Sequence, residues 1–300
     1  MIEVENLAKS YGPVRALDSV SFTVGRGRVT GFLGPNGAGK STTMRLILDL
    51  ERADHGTARL NGRAARSFRN PMAEVGVLLD GQGALGGLTA RAHLRALAAT
   101  HGISAARVED LLELTGLAGA AHRRVRGFSL GMKQRLGLAG ALLGDPATVI
   151  LDEPINGLDP DGVIWVRNLL RGLADEGRCV FLSSHLMSEL ERVVDDLIII
   201  DSGRVVAGGP LSEVIGTQAG AVEVRARESQ RLAEVLVGLG AEVATTARQT
   251  LLVRGLDSAT IGERALAEGI ALAELVPLTT SLEEAYLALT DPPKENVQHV

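Results

Sequence analysis

The nine residues Gly34-Pro35-Asn36-Gly37-Ala38-Gly39-Lys40-Ser41-Thr42 constrain this chain more than any other stretch. They fit the spacing G-x-x-x-x-G-K-[ST], with Gly34, Gly39, Lys40 and Ser41 at the defining positions. Glycines let the backbone fold back until successive N–H groups point into one small hollow. A helix expected to begin near Lys40 adds its positive end to that hollow. Lys40 is placed to reach β- and γ-phosphates, and the Ser41 hydroxyl to hold Mg²⁺. The flanks agree with this reading. Val29 to Leu33 reads as a buried strand, and Thr42 to Leu48 as the helix that follows.

The totals narrow the class. Three hundred residues make one large domain or two smaller ones. Aromatics are only 3%, so the core must be aliphatic and alanine-rich. A net charge of −5 argues against a nucleic-acid binder driven by bulk positive charge, although Arg123-Arg124-Val125-Arg126 is a local basic run. Cys179, the single cysteine, has no partner for an internal disulfide and sits in an apolar stretch, which predicts a buried, inert thiol and fits a reducing cytosol. The N-terminus reads as a strand rather than a leader, and the longest suggestive apolar run, Leu136 to Gly144, is stopped by Asp145-Pro146. If the protein works at a membrane, another chain supplies the spanning part.

Taken in order, residues 2–33 are β-rich, with a turn at Gly25-Arg26-Gly27. Tyr11 lies upstream of the phosphate loop, where a ring can pack or stack on a nucleobase. Thr57 to Leu60 and Ala73 to Leu79 read as strands, the second ending at Asp80, before a glycine-rich connection from Gly81 to Gly87. Residues 89–142 carry helical periodicity, with Thr89, Ser104 and Ser129 as capping residues. Ala147 to Leu151 is an apolar strand ending in Asp152 and Glu153. Acids at the carboxyl end of a parallel strand lie where ligands bind, and neighbouring residues there face opposite ways. Asp152 can then serve Mg²⁺ and Glu153 an attacking water. Asn156 to Pro160 is a turn into a helix from about Asp161 to Ala174, and His185 follows a strand from Arg178 to Ser183. Leu197 to Asp201 and Val205 to Ala207 complete the domain. From Gly216 strands and helices alternate without chemical motifs, and Ser281-Leu282-Glu283-Glu284 opens a last helix as a capping box. Residues 291–300 are polar and hold Pro292-Pro293, a loose tail.

The ordered set resembles the ATP-binding subunits of ABC transporters across about residues 2–215. In that reading Gly34 to Thr42 is the Walker A loop and Ala147 to Glu153 the Walker B strand, with Glu153 at the catalytic-carboxylate position. Asn156-Gly157-Leu158-Asp159 resembles the D-loop, His185 the switch histidine, and Tyr11 the residue that stacks on adenine. Phe128-Ser129-Leu130-Gly131-Met132 stands where the family writes Leu-Ser-Gly-Gly-Gln. Ser129 and Gly131 are kept; Leu130 and Met132 depart. The family's glutamine after the phosphate-loop region falls by position at Asp80, with Gln82 two residues on, so Asp80 becomes a candidate for Mg²⁺.

The resemblance implies an α/β P-loop NTPase fold: an ABC ATPase core over residues 1–215 with a β-rich N-terminal subdomain and a helical subdomain at 89–142. A small C-terminal α+β domain over 216–290 and a tail at 291–300 follow. It also implies ATP and Mg²⁺ as ligands, with Asp159 among the nucleotide-binding residues, and a second copy or similar subunit presenting Ser129 and Gly131 across an interface. A separately encoded permease would place the chain on the cytoplasmic face of the membrane, with no nucleic acid involved. The style is similar to drug-resistance, antibiotic self-resistance and lantibiotic-immunity exporters. The alternatives are a soluble ABC ATPase without a transport role, and a regulatory module that binds ATP without hydrolysing it.

Overall fold

Apolar residues at Ile2, Val4 and Leu7 turn inward from a stretch otherwise polar, and that stretch forms β1 (Ile2–Tyr11). The computed structural model describes residues 1–79, 84–215, 221–278 and 281–290. Asp80, the first three residues of the connection beginning at Gly81 (Gln82 among them), and the tail at 291–300 therefore lie outside the described residues. After β1 come β2 (Val14–Val24), β3 (Arg28–Leu33), α1 (Lys40–Ile47) and β4 (His55–Leu60). Strands β2, β1 and β4 make an antiparallel sheet in that order.

Next are α2 (Pro71–Glu74) and β5 (Val75–Leu78). A single strand from Ala73 to Leu79 is the sequence expectation, and it needs correction. Ala73 and Glu74 close a helical turn that Pro71 opens, because its ring presets φ at the first helical position. Residues 89–142 hold α3 (Ala90–Thr100), α4 (Ala105–Leu114) and α5 (Leu130–Ala141). Each is opened by a hydroxyl that takes a backbone N–H: Thr89 from Ala92 at 3.1 Å, Ser104 from Arg107 at 3.3 Å and Ser129 from Met132 at 3.2 Å.

Then follow β6 (Thr148–Leu151), α6 (Pro160–Asp175), β7 (Cys179–Ser184), α7 (Met187–Glu191), β8 (Asp196–Asp201) and β9 (Arg204–Pro210). The second sheet runs β5-β6-β7-β3-β8-β9, parallel except for β9. Its register sets Leu33 beside Ser184, and Leu151 beside Leu182. The carboxyl ends of β3, β6 and β7 thus share one edge. Phe22, Phe32 and Phe181 pack with ring centroids 5.5, 5.7 and 5.3 Å apart, joining the two sheets within an aliphatic core that includes Met44, Leu60 and Ile150. Cys179 is buried there, and burial pushes its thiol up.

The chain divides into two compact units, Met1–Leu211 and Ser212–Val300. After α8 (Leu211–Val214) the second contains β10 (Ala221–Ala226), α9 (Ser229–Gly238), β11 (Glu242–Ala247), β12 (Thr250–Arg254), α10 (Ser258–Ala267), β13 (Leu272–Leu278) and α11 (Leu282–Thr290). Its antiparallel sheet runs β11-β12-β10-β13, and with the βαββαβ order this is the ferredoxin-like arrangement. Val222, Val224, Leu251 and Val253 pack beneath Leu232, Leu236 and Ile261. The capping box before α11 forms in both directions: Glu284 N–H donates to Ser281 Oγ at 3.2 Å, and Ser281 N–H to Glu284 Oε2 at 3.0 Å. Among the described residues no helix is long and apolar enough to cross a membrane.

Candidate nucleotide site

Strand β3 delivers the chain to Gly34, where a side chain would collide with the Ile200 carbonyl oxygen. Gly39 has φ +106°, and a Cβ there would lie 2.5 Å from Leu17. Only glycine fits either position. The first backbone bond of α1 runs from Thr43 N–H to the Gly39 carbonyl at 2.8 Å. The N–H groups of Lys40, Ser41 and Thr42 therefore lack an intrahelical acceptor, the arrangement that attracts anions. Pro35 and Ala38 shape the loop from behind, Ala38 N–H donating to the Pro35 carbonyl at 3.2 Å. The buried Lys40 lays its Nζ against the loop, donating to the Gly34 carbonyl at 2.6 Å and the Pro35 carbonyl at 3.2 Å. Burial holds its ammonium below the ordinary lysine value, while the Glu153 and Asp152 carboxylates pull the other way.

The shared sheet edge supplies the rest. Asp152 N–H donates to the Leu78 carbonyl at 2.7 Å, which fixes the residue just past β6. Its buried carboxylate accepts from Ser41 Oγ at 2.8 Å and, on the other oxygen, from Ser183 Oγ. Glu153 has φ +50°, an uncommon conformation for a residue with a side chain. Three hydrogen bonds hold it. Its N–H donates to Ser183 Oγ at 3.0 Å, and its carbonyl accepts from Gln134 Nε2 at 2.9 Å and Asn156 N–H at 3.2 Å. Local strain of this kind persists only where the surroundings over-determine it. His185 Nδ1 lies 2.9 Å from Glu153 Oε2. The ring's other nitrogen, Nε2, is its second polar atom.

These groups surround a cavity of about 550 Å³ lined by Asn36, Gly37, Gly39, Lys40, Ser41, Thr42, Asp152 and Glu153. Leu130 and Asn156, from the signature and D-loop motifs, line it too without having been expected there; Ala16 and Gln134 also line it, and sequence reasoning missed them, as it missed Ser183. Gln134 had a signal, a polar residue at a position its helix buries; Ala16 had none. Eight expected residues among those described are not in the cavity walls: Gly34, Pro35, Ala38 and His185, which bond to or adjoin lining residues, and Tyr11, Ser129, Gly131 and Asp159, which stand elsewhere. Tyr11 is 46% exposed, its hydroxyl bonded to the Glu51 carboxylate and its ring centroid 5.3 Å from Lys9 Nζ. Ser129 and Gly131 sit at the exposed start of α5. Asp159 caps α6, accepting from Gly162 N–H at 3.0 Å.

The ABC transporter family matches residues 17–156. An uncharacterised ABC transporter ATP-binding protein of Bacillus subtilis is 32% identical over 302 residues, spanning 100% of this chain and 99% of that one. The chain belongs to the ABC transporter ATP-binding proteins. This ABC protein is also similar to the daunorubicin/doxorubicin resistance ATP-binding protein of Streptomyces peucetius, 34% identical over 310 residues, covering 98% of this chain and 94% of that one. A solved structure of the ATP-binding subunit of an ABC transporter superposes with a TM-score of 0.66 at 31% identity, over 71% of this chain and 91% of that one. The cassette is accordingly a nucleotide-binding ATPase with an α/β P-loop fold. Residues 220–283 match a domain of unknown function.

Proposed function

We propose that this ABC ATPase is the motor of an exporter for a drug, antibiotic or peptide, with residues 1–215 as the engine and 216–290 as an accessory domain. The observation that carries the reading is a cavity lined by Lys40, Ser41, Asp152 and Glu153, with Ser41 on Asp152 at 2.8 Å and His185 behind the wall on Glu153 at 2.9 Å. The loop amides and Lys40 grip the β- and γ-phosphates. Ser41 and Asp152 offer hard oxygen donors, the chemistry Mg²⁺ takes alongside water and substrate phosphates. When bound, that cation neutralises phosphate charge. Glu153 orients the attacking water, and His185 holds the γ-phosphate side. Tyr11 serves the adenine.

Ser129, Gly131 and Asp159 stand outside their own cavity, which supports their use by a second copy. A serine-capped helix start facing a γ-phosphate gains only while that phosphate is present, so ATP joins two subunits and hydrolysis releases them. A separate permease would turn closing and opening into transport and hold the chain at the cytoplasmic face of the membrane. The similarity to a daunorubicin/doxorubicin resistance protein supports export. The test is Glu153→Gln. It is expected to bind ATP, to hydrolyse it about 10²–10⁴-fold more slowly, and to accumulate as a dimer in size-exclusion chromatography with ATP. Unchanged turnover would remove Glu153 from its role.

A further inference from the structure

The last carbonyls of a helix have no intrahelical donor and must be satisfied from elsewhere. At the end of α4 the carbonyls of Leu111, Leu112 and Glu113 are taken by the N–H groups of Thr115, Leu117 and Gly116. The next two go to side chains from two other helices. Leu114 C=O accepts from Trp165 Nε1 of α6 at 3.2 Å, and Thr115 C=O accepts from Arg135 Nη1 of α5 at 3.2 Å. Those two side chains meet each other, the Arg135 guanidinium lying 4.4 Å from the centre of the Trp165 ring. Gly116, at φ +68°, turns the chain away beneath them.

The start of α5 also touches the turn that leads into α6. Leu130 lies against Gly157 so closely that a Cβ on Gly157 would collide with it, and a Cβ on Gly131 would lie 3.4 Å from the Gly157 carbonyl oxygen. Helix α5 is capped by Ser129 and α6 by Asp159. Arg135 and Trp165 each stand six residues past their cap, 129 to 135 and 159 to 165. The pair of helices is thus pinned twice, at the tips and about two turns in.

We propose that the Arg135–Trp165 clasp is a positioning device that makes the Ser129 and Asp159 helix starts one rigid surface, so that a second copy's nucleotide meets both at once. This rests on the two-copy closure proposed above. Two starts that moved independently would have to be aligned at each closure. The apparent affinity of closure then falls by the fraction of time they are aligned.

The experiment uses the full chain carrying Glu153→Gln, with ATP-driven dimerisation followed by light scattering. Trp165→Ala removes the stack and the indole N–H. Trp165→Phe keeps a ring face and loses the N–H; Arg135→Lys keeps the charge and loses the fork. If alignment drops to a tenth, Trp165→Ala needs about tenfold more ATP for half-maximal dimer, and Trp165→Phe and Arg135→Lys about threefold more. Affinity for a fluorescent ATP analogue, measured at protein concentrations too dilute to dimerise, should not change. Should Trp165→Ala fail to fold, the other two variants decide. If all variants dimerise at the parent's ATP concentration, the clasp proposal falls and closure stands. Loss of single-subunit affinity in the same proportion would mean general damage and would also overturn it. If the parent itself does not dimerise with ATP, closure fails and takes the clasp with it.

Discussion

The cassette and the C-terminal unit both place helices on sheets, yet only the cassette collects chemistry. Five of its six strands in the second sheet run parallel, so their carboxyl ends share an edge. Three of those ends, after β3, β6 and β7, supply the phosphate loop, Asp152 with Glu153, and His185. In the C-terminal unit every neighbouring pair is antiparallel, so each edge mixes strand starts with strand ends. Among its described residues no edge gathers a site of that kind. Burial follows the same division. Among the described residues every buried polar or charged side chain, Lys40, Gln134, Asp152 and Ser183 included, lies in the cassette. The described residues of the C-terminal unit bury only apolar side chains. A site requires polar groups held away from water by specific partners, and a packing module does not.

The contrast can be broken most forcefully at Lys40. Lys40→Ala should lower ATP affinity by about 10²–10³-fold in calorimetric titration, because it removes the cation proposed to grip phosphate. It should not lower the melting temperature, since burial already disfavours the charge. The sign with pH follows. The folded state holds Lys40 below its ordinary value, so the unfolded chain binds more protons there and stability rises with pH up to about 10.4. Melting temperatures of parent minus variant should therefore climb as pH approaches that value. A variant that melts well below the parent at neutral pH would show that Lys40 serves the scaffold.

Next in size is the apolar counterpart. Leu236 is fully buried against the C-terminal sheet, and Leu236→Ala should cost about 2–5 kcal/mol in that unit's unfolding transition. ATP affinity should stay within about twofold, because the cassette has its own core. Loss of nucleotide binding would merge the two units into one cooperative body. The smallest effect concerns surface charge. Arg225 and Glu274 pair at 3.0 Å with both side chains about half exposed. Arg225→Ala should move the urea midpoint by no more than about 0.5 kcal/mol equivalent. A larger change would mean the outer face of this sheet is organised for something.

Most of the cassette's working parts were legible in the order of residues. The phosphate loop, the Ser129 cap and the paired acids after an apolar strand are local patterns, each completed within a few residues, as is the Ser281 capping box of the C-terminal unit. The strand drawn from Ala73 went wrong over two residues because hydrophobic alternation outweighed the helix-opening role of Pro71. Ser183, which binds both Asp152 and the Glu153 N–H, gave no sign of that role. Neither did the Arg135–Trp165 stack, whose partners are thirty positions apart in a chain of 300.

The amino-acid order alone identified the phosphate-loop pattern, where it begins and which family builds it, because those depend on backbone freedom and spacing along a short run. Only the tertiary structure decided which strand lies beside which. With β7 between β3 and β6, a serine comes under two acids, a glutamine steadies a strained glutamate, and two helix starts are clasped together. Contacts across a sheet depend on strand order and register, and residues distant in sequence carry no local mark of either.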